Sequence, residues 1–190
     1  MSGGMKVLSL LLALALAQPA WGRDRVEWGD DISSYMMRCA VAWTVIYEGG
    51  LEGAAQLGLS YTAVRVSTNK LKVMTNRKRP DWQPGDAQDS FPSLHTSKAF
   101  APAFFIHKRY GFRQAVVPYA LASFTAYTRI YADKHDWVDV AGSIAISGLL
   151  TSMFVREYER TPAPPGRLAP DFFPWAPPSG GLGLGVHLNF

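Results

Sequence analysis

The chain has 190 residues, 48% of them hydrophobic and 18% charged, so it can bury one core and is too apolar to be a disordered protein. Its formal charge of +4 is a mild basic excess, and we expect no nucleic-acid partner. The single cysteine, Cys39, excludes an internal disulfide bond, so packing must stabilise the fold.

The N-terminus has the pattern of a secretory signal peptide. Lys6 precedes the apolar run Val7–Ala17, and small residues follow in QPAWG. The run is too short to span a bilayer. We therefore predict a signal peptide over residues 1–22, a single main domain over 23–160, a tail over 161–190, and export to the periplasm or cell envelope. An uncleaved anchor is the alternative.

Five helical patterns follow the leader. Ser33 or Ser34 is the predicted cap of the first, and the second must end before Pro80, since a residue preceding proline disfavours the helical conformation. No strand alternation occurs before the tail, so the predicted fold class is all-α, a helical bundle with a Pro-rich C-terminal extension. In chain order the patterns are ISSYMMRCAVAWTVIY, about Leu51 to Lys78, SKAFAPAFFIHKRYG, VVPYALASFTAYTRIYA and VDVAGSIAISGLLTSMFVREYE.

The hydropathy does not require a membrane span. The longest uncharged runs are Val140–Val155 and Gln114–Thr128, both shorter than the roughly 18–20 residues that a spanning helix needs. They indicate buried helices of a globular bundle. Contact with a membrane surface stays open, because the aromatic residues of the tail, such as Trp175, are typical of membrane interfaces.

The tail has two parts of different character. The stretch TPAPPGRLAPDFFPWAPPSGG is Pro-rich and predicted to be extended, as a linker or a strap. The last ten residues, GLGLGVHLNF, alternate apolar residues with others. That alternation predicts an edge strand or a docking tail.

Basic residues concentrate at the end of the second helical pattern, where they would attract anions. Lys72 and Arg79 are seven residues apart, two helical turns, so they are predicted to project from one face. Ser93 and His95 follow at the start of the third helix, where backbone amides form an anion site. The basic cluster consists of Lys70, Lys72, Arg77, Lys78 and Arg79.

A second histidine has a carboxylate four residues away. His135 and Asp139 would be neighbours on one face if their segment were helical, and Arg129 precedes them. A carboxylate that holds one ring nitrogen leaves the other free and nucleophilic. Together with the cations, this inventory suits binding of a tetrahedral oxyanion and transfer of a group from it.

The series K-x6-RP, PS-x-H and R-x5-H-x3-D, spanning Lys72 to Asp139, resembles the type 2 phosphatidic acid phosphatase (PAP2) superfamily. That superfamily groups bacterial nonspecific acid phosphatases, lipid phosphatases and vanadium haloperoxidases. The resemblance implies a helical bundle and an enzyme that needs no metal or cofactor. It also implies that a phosphorylated small molecule or lipid is the substrate.

The resemblance also implies a role for each motif residue. His135 would be the nucleophile that forms a phosphohistidine, Asp139 would orient it, and His95 would protonate the leaving oxygen. The phosphoryl oxygens would be bound by Lys72, Arg79, Ser93, Arg129 and the backbone N–H of Leu94. Two positions differ from the usual family pattern: Leu94 replaces a glycine, which matters if φ must be positive there, and Thr128 replaces a serine.

Other functions remain open at this point. A vanadium-dependent haloperoxidase would use the same residues to bind vanadate. A non-catalytic envelope protein would retain the fold, with His95 as a helix-start residue and His135 in a structural pair. No histidine, cysteine or carboxylate spacing indicates a metal site. Lipid phosphates and soluble esters are both candidate substrates.

Overall fold

The computed structural model describes residues 24–159 and the backbone of 169–175 and 183–189. The predicted signal peptide lies outside the described residues, as does most of the Pro-rich stretch. The described chain forms five helices and two strands. They are α1 (Arg25–Glu48), α2 (Glu52–Thr75), α3 (Leu94–Tyr110), α4 (Phe112–Tyr131), α5 (Trp137–Phe154), β1 (Ala169–Trp175) and β2 (Gly183–Asn189).

Helix α1 begins earlier than the sequence analysis predicted. Asp24 is its N-cap, and the Asp24 side chain accepts hydrogen bonds from the backbone of Val26 and Glu27. The prediction of Ser33 or Ser34 as the cap was wrong. Both hydroxyls instead donate to the carbonyl of Asp30 within the helix, a bond that serine makes readily in helix interiors.

Helix α2 ends before the basic cluster is complete. Asn76 adopts a left-handed conformation (φ 44°) and its N–H donates to the carbonyl of Lys72, a common helix ending. The predicted extension to Lys78 was therefore wrong. Lys72 is on the last turn of α2, whereas Arg79 lies in the following loop and not on the same helical face.

Helix α3 is the centre of the bundle, since it contacts each of the other four helices. Its alanines Ala99, Ala101 and Ala103 are fully buried, and their small side chains allow neighbouring helices to approach closely. The all-α fold class is confirmed. The larger buried side chains around α3 include Trp43, Leu57, Phe105 and Ile106.

A buried ion pair closes the bundle at the C-terminal end of α3. Arg109 donates from Nε to Glu48 Oε1 at 2.5 Å and from Nη2 to Glu48 Oε2 at 2.9 Å. The phenol of Tyr110 also donates to Glu48. These contacts connect the end of α1 to the end of α3, which fixes the end of the bundle opposite to the motif residues.

Helix α5 is the described helix that is long and apolar enough to cross a membrane, judged by length and composition alone. Its 18 residues have a mean hydropathy of 1.4, and 28% of them are buried. Trp137, Leu149 and Met153 are largely exposed. The expectation of a buried helix thus fits only one face of α5.

The two strands form an antiparallel pair, in register from Ala169 opposite Asn189 to Trp175 opposite Gly183. Strand β2 lies within the terminal segment whose alternation predicts an edge strand. Its partner β1 belongs to the Pro-rich stretch that was expected to be extended.

Candidate active site

The three motifs meet where α2 ends, α3 begins and α4 connects to α5. The N–H of Ser93 donates to the carbonyl of Asp139 at 3.3 Å, which joins the start of α3 to the first turn of α5. The N–H of His135 donates to the carbonyl of Arg129 at 3.3 Å, which folds the α4–α5 junction back on itself. Residues far apart in sequence are therefore held in one site.

The pair of His135 and Asp139 is formed at a helix start and not along a helix. Asp136 is the N-cap of α5 in a capping box with Asp139, so His135 precedes the helix. His135 and Asp139 therefore do not share one helical face. Nevertheless His135 Nδ1 lies 3.5 Å from Asp139 Oδ2, and both side chains are buried.

Two neighbours that the sequence analysis did not assign hold the Asp139 carboxylate. Arg77 donates from Nη1 to Asp139 Oδ1 at 2.9 Å, and its Nη2 donates to Asp136 at 2.6 Å. Ser90 donates from Oγ to Asp139 Oδ2 at 2.5 Å. Because both oxygens are engaged, the carboxylate is fixed in orientation beside His135.

The first two cations of the motif series share one carboxylate. Arg79 donates from Nε to Asp89 Oδ1 at 2.9 Å, and Lys72 Nζ lies 3.9 Å from Asp89 Oδ2. Lys72 also donates to the Asp89 carbonyl. Asp89 thus brings Lys72 and Arg79 together even though Arg79 is not on the helix.

The start of α3 has the predicted form. Ser93 is the N-cap, and its Oγ accepts from the N–H and the hydroxyl of Thr96. Leu94 is the first helical residue and is not among the non-glycine residues with positive φ. Leucine is therefore not strained at this position, and its N–H is one of the four that a helix start leaves without an intrahelical partner.

His95 and Arg129 meet at a carboxylate from α1. Asp30 Oδ1 lies 3.1 Å from His95 Nε2 and 2.6 Å from Arg129 Nη1. Arg129 is buried, and its Nη2 also donates to the carbonyl of Val26 at 2.8 Å. Helix α1, which carries none of the motif residues, therefore contributes directly to the site.

Burial and surrounding charge set the protonation of the two histidines. Burial, with the nearby charges of Lys72 and Arg79, lowers the pKa of His135 to about 4, although Asp139 opposes the shift. His135 is thus neutral at pH 7. Burial also lowers the pKa of His95, and here the Asp30 carboxylate acts in the opposite direction.

The site therefore combines a neutral buried histidine, a second histidine beside a carboxylate, and several cations. Such a set can bind a phosphoryl group and carry out nucleophilic attack and proton transfer. Within residues 24–159, no cluster of three or more His, Cys, Asp or Glu side chains could hold a metal ion. No sequence pattern marks Asp30, Asp89 or Ser90 as residues of the site, and Arg77 stands out only as a member of the basic cluster.

Comparison with known proteins identifies the family of the chain. The family model of the PAP2 superfamily matches residues 53–161, more than half of the chain. The chain belongs to the PAP2 superfamily. The resemblance drawn from the motifs is thereby confirmed at the level of the family.

Individual relatives match part of the chain or its fold. The lipid A 1-phosphatase of Porphyromonas gingivalis is 37% identical over 97 residues, which are 50% of this chain and 21% of that protein. The chain thus spans about a fifth of that curated relative. Two solved structures, at 22–23% identity, share the fold.

The first structure is LpxE of Aquifex aeolicus, with a TM-score of 0.58 over 77% of this chain and 92% of that one. The second is a transmembrane PAP2-type phosphatidylglycerolphosphate phosphatase from Bacillus subtilis. Its TM-score is 0.53 over 78% of this chain and 82% of that one.

Proposed function

We propose that this PAP2 protein is a phosphatase that hydrolyses phosphate monoesters or lipid-linked phosphates through a phosphohistidine, without a metal ion. The observation that carries the proposal is the buried pair of His135 and Asp139, 3.5 Å apart, within a site that also holds Lys72, Arg79 and Arg129. A neutral histidine among cations is suited to attack a phosphoryl group whose negative charge the cations stabilise.

The phosphoryl oxygens would be bound by Lys72, Arg79, Arg129, the Ser93 hydroxyl and the Leu94 N–H. In the structure Asp89 contacts Lys72 and Arg79, and Asp30 contacts Arg129. A phosphate would therefore share these cations with carboxylates that already lie against them. The carboxylates hold the cations in place while the site is free of substrate.

The reaction would proceed in two steps. In the first, the free ring nitrogen of His135 attacks phosphorus, the bond to the leaving oxygen breaks, and that oxygen takes a proton from His95. Asp139 stabilises the positive charge that develops on His135. In the second, His95 accepts a proton from water as the water attacks phosphorus, and the bond between phosphorus and His135 breaks to release phosphate.

A lipid is the favoured kind of substrate. The relatives described above include a lipid A 1-phosphatase and a phosphatidylglycerolphosphate phosphatase. Next to His135, the side chains of Trp137 and Val138 are 74% and 58% exposed. An apolar surface beside the site suits an acyl chain or a membrane interface. Export to the periplasm or envelope, with contact at the membrane, completes the proposal.

The test is phosphate release by purified protein in EDTA, with p-nitrophenyl phosphate and with a lipid phosphate in detergent. We expect release from both, inhibition by vanadate, and near-complete loss in His135→Ala with the far-UV circular dichroism retained. His107→Ala is the matched control, because His107 is exposed and lies outside the motifs. Release that persists in His135→Ala would refute the phosphohistidine mechanism.

A further inference from the structure

Three cations lie beside the candidate site without belonging to the motifs. Lys98 is one helical turn beyond His95 on α3, and its Nζ lies 3.4 Å from Ser34 Oγ on α1. Arg38 follows Ser34 by one turn of α1. Since Asp30 contacts His95 and Ser34 contacts Lys98, α1 and α3 run in the same direction here, and Arg38 lies on the side of Lys98 away from the site.

The third cation comes from α2. Thr68 donates to Ser97 Oγ at 3.1 Å, which fixes α2 against α3 next to Lys98. Arg65 precedes Thr68 by about one turn. Three helices therefore place Arg38, Arg65 and Lys98 around one surface region, which we call the flanking basic cluster.

The flanking basic cluster differs from the other cations near the site in its partners. Lys72, Arg77, Arg79 and Arg129 each contact a carboxylate. Among residues 24–159, no carboxylate oxygen lies within 4 Å of a charged nitrogen of Arg38, Arg65 or Lys98. The negative charge of Asp30 raises the pKa of Lys98 from more than 4 Å away. The Asp30 carboxylate itself contacts Arg129 and His95.

The charges of the cluster act on one another. Partial burial lowers the pKa of the Lys98 ammonium, and the guanidinium groups of Arg65 and Arg38 lower it further. Like charges gathered in one surface region without a carboxylate between them raise the free energy of that surface. An anion bound among them would relieve that repulsion.

The position of the cluster indicates which part of a substrate it would meet. Under the proposed function, on which this inference rests, His95 protonates the leaving oxygen, so the leaving group lies on the His95 side of the transferred phosphoryl group. Lys98 is one turn farther along the same helix. We propose that Arg38, Arg65 and Lys98 form a second anion subsite, which binds a further phosphate carried by the leaving group of the substrate.

The test compares substrates with and without a second phosphate. The variant removes all three charges, as Arg38→Gln, Arg65→Gln and Lys98→Met. We expect kcat/KM for farnesyl diphosphate or glucose 1,6-bisphosphate to fall at least about tenfold more than kcat/KM for p-nitrophenyl phosphate, because charge-assisted contacts of this kind are worth a factor of ten or more. The two phosphorylated probes distinguish a diphosphate from two separated phosphates.

A charge-matched control removes three exposed cations elsewhere, as Lys108→Gln, Arg113→Gln and Arg156→Gln. We expect the control to change the ratio of the two kcat/KM values by less than about twofold, since screened charges distant from a site contribute little. The subsite would be overturned if the triple variant lost the same factor in kcat/KM on all substrates. It would also be overturned if the control variant changed the ratio of kcat/KM values as much as the triple variant does.

Direct binding separates this inference from the proposed function. Calorimetry with methylenediphosphonate, which is not hydrolysed, needs no turnover. Weaker binding by the triple variant than by the parent and the control would support the subsite even if the parent released no phosphate. Equal binding by all three proteins would overturn it even if the parent is an active phosphatase.

Discussion

The Oδ1 atom of Asp30 lies 3.1 Å from the Nε2 atom of His95. The same oxygen lies 2.6 Å from Arg129 Nη1. One carboxylate from α1 therefore connects the proposed acid to a proposed phosphate ligand. Its negative charge favours the protonated form of His95, which is the form that an acid must have before it donates.

Asp30→Asn tests that role. Burial lowers the pKa of His95 and Asp30 opposes the shift, so removing the charge should lower the pKa of His95 further. Activity is lost as pH rises and His95 deprotonates, so the alkaline limb of the kcat/KM profile should move to lower pH. The measurement is the pH dependence of kcat/KM for an alkyl phosphate, whose leaving oxygen needs the proton of His95.

Glu27→Gln is the control for Asp30→Asn, because Glu27 is an exposed acid near the start of the same helix. Its alkaline limb should coincide with that of the parent. An unchanged alkaline limb in Asp30→Asn would mean that the carboxylate does not govern the protonation of His95.

His95→Ala should lower kcat/KM by about 100-fold or more for an alkyl phosphate, the usual contribution of a positioned acid. The loss on p-nitrophenyl phosphate should be smaller, because p-nitrophenolate leaves without protonation. Parallel measurements of kcat/KM, which reports the first step for each ester, check the difference. Equal losses would contradict the acid role.

Arg77→Gln should lower both stability and kcat. The buried Asp139 carboxylate would lose a 2.9 Å hydrogen bond, and a buried group left without its partner costs about 1–3 kcal/mol. Chemical denaturation and steady-state kinetics measure the two effects. Arg77→Lys should restore part of the kcat if the charge positions Asp139, whereas a merely structural role predicts no such rescue at equal stability.

Lys78→Gln is the matched control for Arg77. Its ammonium lies 3.8 Å from the centroid of the Trp82 ring, away from Asp139. We expect its kcat to remain within about twofold of the parent, since exposed charges contribute little to stability or geometry.

Two glycine substitutions in helices should have opposite effects. A methyl group at Gly29 would overlap the side chain of Thr128, so Gly29→Ala should destabilise by about 1–3 kcal/mol, as overpacking does, and disturb Arg129. Nothing lies within 4 Å of a methyl group at Gly58, so Gly58→Ala should stabilise by about 0.5–1 kcal/mol. Thermal unfolding of both variants tests the pair, and a stabilised Gly29→Ala would show that α1 and α4 are not in close contact.

The motif residues were predictable from sequence because their chemistry and order are distinctive. The family and the all-α fold follow from Lys72 to Asp139 and from the helical patterns, and both are confirmed. The placement of Arg79 on α2 was wrong, because Asn76 ends the helix in a left-handed conformation. The residues around Asn76 do not predict that ending. The catalytic and binding roles stay predictions.

The carboxylates of the site were not predictable. Asp30 resembles any other acidic residue on an amphipathic helix, and its contacts with His95 and Arg129 depend on how α1 packs. Asp89 lies in a loop rich in polar residues, where nothing in the sequence singles it out as the partner of Lys72 and Arg79. Tertiary packing determines such contacts, so a local sequence pattern cannot predict them.

Because α3 contacts every other helix, substitutions on α3 should disturb the fold more than substitutions elsewhere in the bundle. One end of α3 presents Ser93, Leu94 and His95 to the site, and the other end holds Arg109 in its buried pair with Glu48. Substitutions there would affect every other helix at once. Changes at Arg38 on α1 and Arg65 on α2 would not, so under the proposed subsite the preferred leaving group can change while Ser93 and His95 keep their positions.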